Sequence, residues 1–167
     1  TKEPLVFLKP DTALISKGRS FFIPNFSKEI HYELEVVIKI KKPGRYIERK
    51  FSSQYYDEIT VGIDFTARDL QKNLREKGHP WEKSKGFDGS TLVGNFLNKH
   101  DLPPISNLNF HLLKNGHTVQ NENTKNMIWP IDELIEHISK FFTLKIGDLI
   151  FTGTPSGVGA VIFEDNL

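Results

Sequence analysis

The stretch His31-Tyr32-Glu33-Leu34-Glu35-Val36-Val37-Ile38-Lys39-Ile40 decides the fold class. Tyr32, Leu34, Val36, Ile38 and Ile40 fall on every second position, the period of a β-strand with one buried face. The same alternation sends His31, Glu33 and Glu35 to the opposite face. Two carboxylates at i and i+2 on a strand have Cα atoms ~6.5–7 Å apart, close enough to share one ion. Hard divalent cations favour oxygen donors of this kind. The competing reading is a solvent-facing strand that carries two ordinary glutamates.

Outward from this strand, β-branched and aromatic enrichment predicts further strands near 5–9, 20–23, 59–64, 107–114 and 148–152. Pro43-Gly44 turns the long strand back toward Tyr46 and Ile47, and Asn115-Gly116 is a strong hairpin signal. Two helices are predicted. The first has Thr66 as N-cap with Asp69 three residues on, carries Ala67, Leu70 and Leu74 on one face, and ends at Gly78 and Pro80. The second starts at Pro130 and carries Ile131, Leu134, Ile135, Ile138, Phe141 and Phe142 at helical spacing. Many strands and few helices, without βαβ alternation, indicate a β-rich α+β fold and exclude Rossmann and TIM architectures.

The chain has 167 residues, enough for one domain with a real core. Its 22 Lys+Arg against 21 Asp+Glu give a net charge of +1, with no basic block of the kind that nucleic-acid binding requires. A charged fraction of 26% and a mean hydropathy of −0.37 exclude a disordered chain and an integral membrane protein. Having no cysteine, the chain cannot build disulfides, Cys-ligated zinc or a thiol nucleophile, and a reducing cytoplasm is the default compartment. The sequon Asn25-Phe26-Ser27 reads as chance. The chain opens on Thr1 with no signal-peptide pattern and closes on Glu164-Asp165-Asn166-Leu167 with no ending signal, so both termini read as incomplete.

Asp64 closes the apolar run Val61-Gly62-Ile63, at the junction with the first helix. A carboxylate there either favours the positive end of that helix or joins Glu33 and Glu35 as a third metal ligand; the set of three favours metal. Arg68 and Gln71, three apart on the helix, share a surface patch. Lys85 lies in the loop Trp81–Ser90, where nothing local separates it from Lys83. The run Thr152-Gly153-Thr154-Pro155-Ser156-Gly157-Val158-Gly159 lacks the Walker and dinucleotide spacings. It either presents backbone N–H groups and the Thr154 hydroxyl to an anion or is a tight connection. The six histidines have no zincin spacing.

Taken in order, Glu3-Pro4…Phe7-Leu8-Lys9-Pro10, His31-Tyr32-Glu33-Leu34-Glu35, Gly62 to Gln71, Lys85-Gly86-Phe87-Asp88, Asn123-Thr124…Met127-Ile128 and Gly147 to Gly159 resemble the fumarylacetoacetate hydrolase family. The match covers nearly the whole chain. It is closest to the short single-domain acylpyruvases, oxaloacetate decarboxylases and isomerases of hydroxylated dienoate acids.

The resemblance implies a mixed β-roll, a homodimer, and one Mg²⁺ or Mn²⁺, with Ca²⁺ as a third candidate, held by Glu33, Glu35 and Asp64. It places Lys85 at the active-site lysine, and Arg68, Gln71, Thr154 and Lys9 at positions that contact a small 2-oxo acid substrate. The near-neutral charge and the lack of an apolar run near ~20 residues already leave no nucleic-acid or membrane partner expected. Residues 1–167 would form a single catalytic domain without the family's N-terminal lid, which carries a His–Glu pair, and without its closing strands. The expected activity is C–C hydrolysis, decarboxylation or enol/keto isomerisation of a 2-oxo or 1,3-dioxo acid. The alternative is a catalytically silent module that kept the pocket and lost the lid.

Overall fold

The computed structural model describes residues 2–167. Its frame is a long antiparallel ribbon broken once on each side. One side is β1 (Ile30–Tyr32) and β2 (Leu34–Ile40), interrupted at Glu33; the other is β3 (Tyr56–Asp64) and β4 (Thr66–Ala67), interrupted at Phe65. Leu34 faces Ile63 and Val37 faces Thr60 on the long part, and His31 faces Thr66 on the short part. The breaks pass the ribbon from one sheet into another. The larger sheet has the order β5-β3-β2-β9, with β5 at Thr91–Val93, β9 at Leu149–Phe151, and β6 (Leu97–Asn98) also paired to β3. The smaller is β10-β1-β4, with β10 at Gly159–Ala160.

The even-numbered face of the ribbon feeds two cores. Val36, Ile38 and Ile40 pack with Ile59, Ile150 and two residues of α4 (Ile131–Phe141), Ile131 and Ile135. Ile30, Tyr32 and Leu34 pack with Ile63, Phe65 and Leu112 across the break. Each fully buried aliphatic side chain of this kind contributes roughly 1.5–3 kcal/mol. The Asn115-Gly116 hairpin forms as expected between β7 (Asn109–Lys114) and β8 (His117–Asn123), with φ of 52° and 81° at the two turn residues. The fold is strand-rich α+β, and the described residues form four helices: α1 (Arg49–Ser52), α2 (Arg68–Glu76), α3 (Glu82–Lys85) and α4. Among the described residues, no helix is long and apolar enough to cross a membrane.

Several expectations are corrected. Residues 5–9 and 20–23 are not strands. Pro4, Pro10 and Pro24 flank them, and Leu5, Leu8 and Phe22 remain exposed, so no sheet face receives their apolar side chains. Thr66 is not a helix cap. It sits in β4 opposite His31, and α2 begins at Arg68 with Ala67 in the N-cap position and no side-chain cap bond. Asp69 instead accepts hydrogen bonds from Ser27 Oγ and the Lys28 N–H. After Gly44 the chain runs beside Leu144 and bonds Ser139 of α4 through the Tyr46 and Ile47 N–H groups.

Candidate active site

The interruption at Glu33 brings the three carboxylates together. Glu33, Glu35 and Asp64 each offer an oxygen, and these oxygens lie within 4.8 Å of one another. The Asp64 N–H donates to the Glu33 carbonyl at 2.9 Å across the break. Glu35 faces Gly62, and only glycine fits there: a Cβ would stand 2.7 Å from the Leu92 carbonyl oxygen and 2.8 Å from the Phe151 ring. The three acids are 7%, 5% and 1% exposed, so the reading of Glu33 and Glu35 as solvent-facing is excluded.

Three cationic side chains meet this cluster. Lys85, on the single turn α3, donates to Glu33 Oε2 at 2.7 Å, Asp64 Oδ2 at 2.6 Å and Thr66 Oγ1 at 2.6 Å. It is 3% exposed whereas Lys83 is exposed, which separates the two lysines that local sequence left equivalent. Lys9 donates to Asp64 Oδ1 and to the Ser90 carbonyl. Arg68 donates to Glu33 Oε1 at 2.6 Å and to Gln71 Oε1 at 2.5 Å. Thr66 Oγ1 donates to Glu33 Oε1 at 3.0 Å.

Burial alone would raise the Glu33 carboxyl, but Lys85, Arg68 and Thr66 together hold it below its usual range. Burial alone would lower the Lys85 ammonium, yet Asp64 and Glu33 outweigh it and hold it above its ordinary value. Lys9 goes the other way: burial lowers it more than Asp64 raises it. Glu35 stands apart. Burial, then the charges of Asp64 and Glu33, push its carboxyl up to about 8, against a hydrogen bond from the Gly153 N–H. That bond is 2.6 Å long, and among the described residues Glu35 forms no ion pair. A buried carboxylate short of positive charge, beside two more, is a donor set suited to a hard divalent cation.

Next to this cluster is a cavity of about 960 Å³, with Lys9, Glu35, Phe151, Gly153 and Thr154 among its lining residues. Glu33, Asp64, Lys85, Arg68 and Gln71 do not line it; Arg68 and Gln71 reach the carboxylates through Glu33. The structure therefore brings eight expected residues into one region but splits them between a buried charge cluster and a cavity wall. His31 stands at the edge of the cluster: its Nδ1 accepts from Arg68 Nε at 3.4 Å, and its other ring nitrogen meets the exposed Glu29 carboxylate at 2.7 Å.

The Gly153 N–H is one of the backbone groups that the Thr152–Gly159 run was expected to present to an anion, and it meets the Glu35 carboxyl. Sequence reasoning missed two contributors. Thr66 was assigned to a cap. Gln120 bonds Thr154 Oγ1 at 3.0 Å and was hidden by a bulge in the β7–β8 hairpin. A regular two-residue hairpin pairs Leu112 with Val119, whereas the bulge pairs Leu112 with Gln120 and turns the amide inward.

Residues 1–166 match the family described as fumarylacetoacetate (FAA) hydrolase C-terminal. The mitochondrial oxaloacetate tautomerase of Bos taurus is 37% identical over 165 residues, 99% of this chain and 75% of the relative. The mitochondrial oxaloacetate decarboxylase of Dictyostelium discoideum is 39% identical over 160 residues, 95% of this chain and 73% of the relative. The crystal structure of fumarylpyruvate hydrolase from Pseudomonas aeruginosa, in complex with Mn²⁺ and pyruvate, superposes with a TM-score of 0.91 at 35% identity. That match covers 98% of this chain and 72% of the other. These relatives are enzymes, and on the extent of the match to them the chain belongs to the fumarylacetoacetate hydrolase family.

Proposed function

We propose that the chain is a divalent-cation-dependent enzyme acting on a small 2-oxo or 1,3-dioxo carboxylic acid, by C–C hydrolysis, decarboxylation or keto–enol isomerisation. The observation that carries this reading is the buried convergence of Glu33, Glu35 and Asp64 within 4.8 Å, beside a cavity that Glu35 reaches. The names of the relatives agree: oxaloacetate and pyruvate are both 2-oxo acids.

A Mg²⁺ or Mn²⁺ ion held by these three acids, or Ca²⁺ as the third candidate, would supply Lewis-acid polarisation of a 2-oxo carboxylate. The remaining work falls to the chain. Lys85, an ammonium fixed between Glu33 and Asp64 behind the cavity wall, would act through space, favouring negative charge developing on the substrate in a water-poor region. Arg68, itself held by Gln71, orients Glu33. Lys9 and Thr154 lie on the cavity wall and would bind the substrate's carboxylate and oxo oxygens, fixing its pose. The homodimer implied by the resemblance belongs to the same proposal; the exposed Phe22, Ile128 and Phe163 supply apolar surface for it, and sedimentation velocity tests it.

Titration with Mn²⁺ should show one site per chain, lost in Glu35→Ala. Binding that survives Glu33→Ala, Glu35→Ala and Asp64→Ala alike would overturn the assignment. Acylpyruvates, oxaloacetate and hydroxymuconate-like diacids, each with and without Mg²⁺, identify the reaction. No turnover on any of them would refute the substrate class.

A further inference from the structure

The side chain of Gln120, 2% exposed on β8, joins the two halves of the site. Its Oε1 accepts the Leu34 N–H at 2.9 Å. Its Nε2 lies 3.0 Å from Thr154 Oγ1, 3.1 Å from the Pro155 carbonyl oxygen and 3.4 Å from that of Ser156. These partners fix which way the amide points. The Leu34 N–H can only donate, so the amide oxygen must face it; the two carbonyls can only accept, so the NH₂ must face them.

The Thr154 hydroxyl therefore accepts from Gln120. An amide nitrogen has no lone pair to offer, so the hydroxyl's own proton must point elsewhere. Among the described residues that proton has no recorded acceptor, and Thr154 lines the cavity. We infer that Gln120 is a positioning residue that makes the Thr154 hydroxyl an obligate donor toward the cavity, so that this subsite takes an oxygen acceptor such as a carboxylate or oxo group. The inference rests on the proposed reading of the cavity as a substrate site.

The same amide also sets a distance. Leu34 lies between Glu33 and Glu35, and the loop that Gln120 grips carries Gly153, whose N–H reaches Glu35. The bulge makes this reach possible, because Gly157 packs against the Val119 backbone: a Cβ there would stand 2.4 Å from the Val119 oxygen. One neutral side chain thus sets the spacing between the carboxylate cluster and the Thr154 donor.

Pyruvate binding to the Mn²⁺-loaded protein tests this. Gln120→Met removes both hydrogen-bonding ends; Gln120→Glu keeps an acceptor for Leu34 and removes the donors. Each should weaken pyruvate binding about tenfold or more, with a smaller change in Mn²⁺ affinity. The double variant Gln120→Met/Thr154→Val should bind pyruvate no more weakly than Thr154→Val alone, because Gln120 acts through that hydroxyl. Additive losses would show a packing role and overturn the inference. In the unaltered protein loaded with diamagnetic Mg²⁺ instead of Mn²⁺, the Gln120 side-chain amide resonances should shift when pyruvate is added; unchanged resonances overturn it even if both variants fold poorly. If the unaltered protein binds Mn²⁺ but no pyruvate, the reading of the cavity falls. If it binds both and the Gln120 variants match it, the Gln120 inference alone falls.

Discussion

Lys85→Met should lower kcat by ~10²-fold or more while leaving Mn²⁺ binding intact. The lysine is held in its charged form by Asp64 and Glu33, so methionine removes a full positive charge and three hydrogen bonds at similar length. Both carboxylates then lose their shared ammonium, and breaking a buried ion pair from one side typically costs about 3–5 kcal/mol. A divalent cation offsets that loss, so Mn²⁺ should raise the melting temperature of the variant by more than it raises that of the unaltered protein. Lys83→Met, on the exposed side of the same turn, is the control and should do far less. Equal losses from the two lysines would remove Lys85 from its assigned role. Lost Mn²⁺ binding in Lys85→Met would show that the lysine builds the cation site.

The second large effect is expected at Gly157. Its φ is +97°, where an L side chain is strained, and the atom in the way of a Cβ is the Val119 carbonyl oxygen, which no rotamer change can move. Gly157→Ala should lower unfolding free energy by at least about 3 kcal/mol, at the upper end of single-substitution effects. It should also weaken pyruvate binding, because the displaced loop carries Thr154. Gly153→Ala is the comparison: φ is +95° but nothing lies within 4 Å, so it pays only a backbone term of roughly 1–2 kcal/mol. Urea denaturation decides between them. Similar losses at both positions would mean that the Val119 contact carries no energy.

Strand alternation made the carboxylate pair legible, since period two gives the face on which Glu33 and Glu35 lie. It does not say what covers that face. The cover is Lys85, from 52 residues beyond Glu33, and Gly153, 118 residues beyond Glu35. Asp64 was readable as a strand end, but its neighbour Thr66 was misread because Thr-x-x-Asp imitates a capping box. Pairing with His31 prevailed over that local preference. Residues 5–9 and 20–23 have strand-like composition without partner strands, and composition cannot reveal a missing neighbour. Gln120 was masked because one bulged residue inverts the faces of everything beyond it.

The ribbon broken at Glu33 has a kinetic consequence. Chain-closure entropy grows as about (3/2)RT ln n, so contacts between near residues form at lower cost than those between distant ones. The β2–β3 ladder can zip first and crowd three acids onto one edge. Lys85, 21 residues after Asp64, can follow early, while Gly153 must return from 118 residues away. Native strand content should therefore reappear in refolding before the Thr154 side of the site is competent, and that side should fray first in hydrogen exchange. Pyruvate binding that returned in step with the circular-dichroism signal would contradict this order.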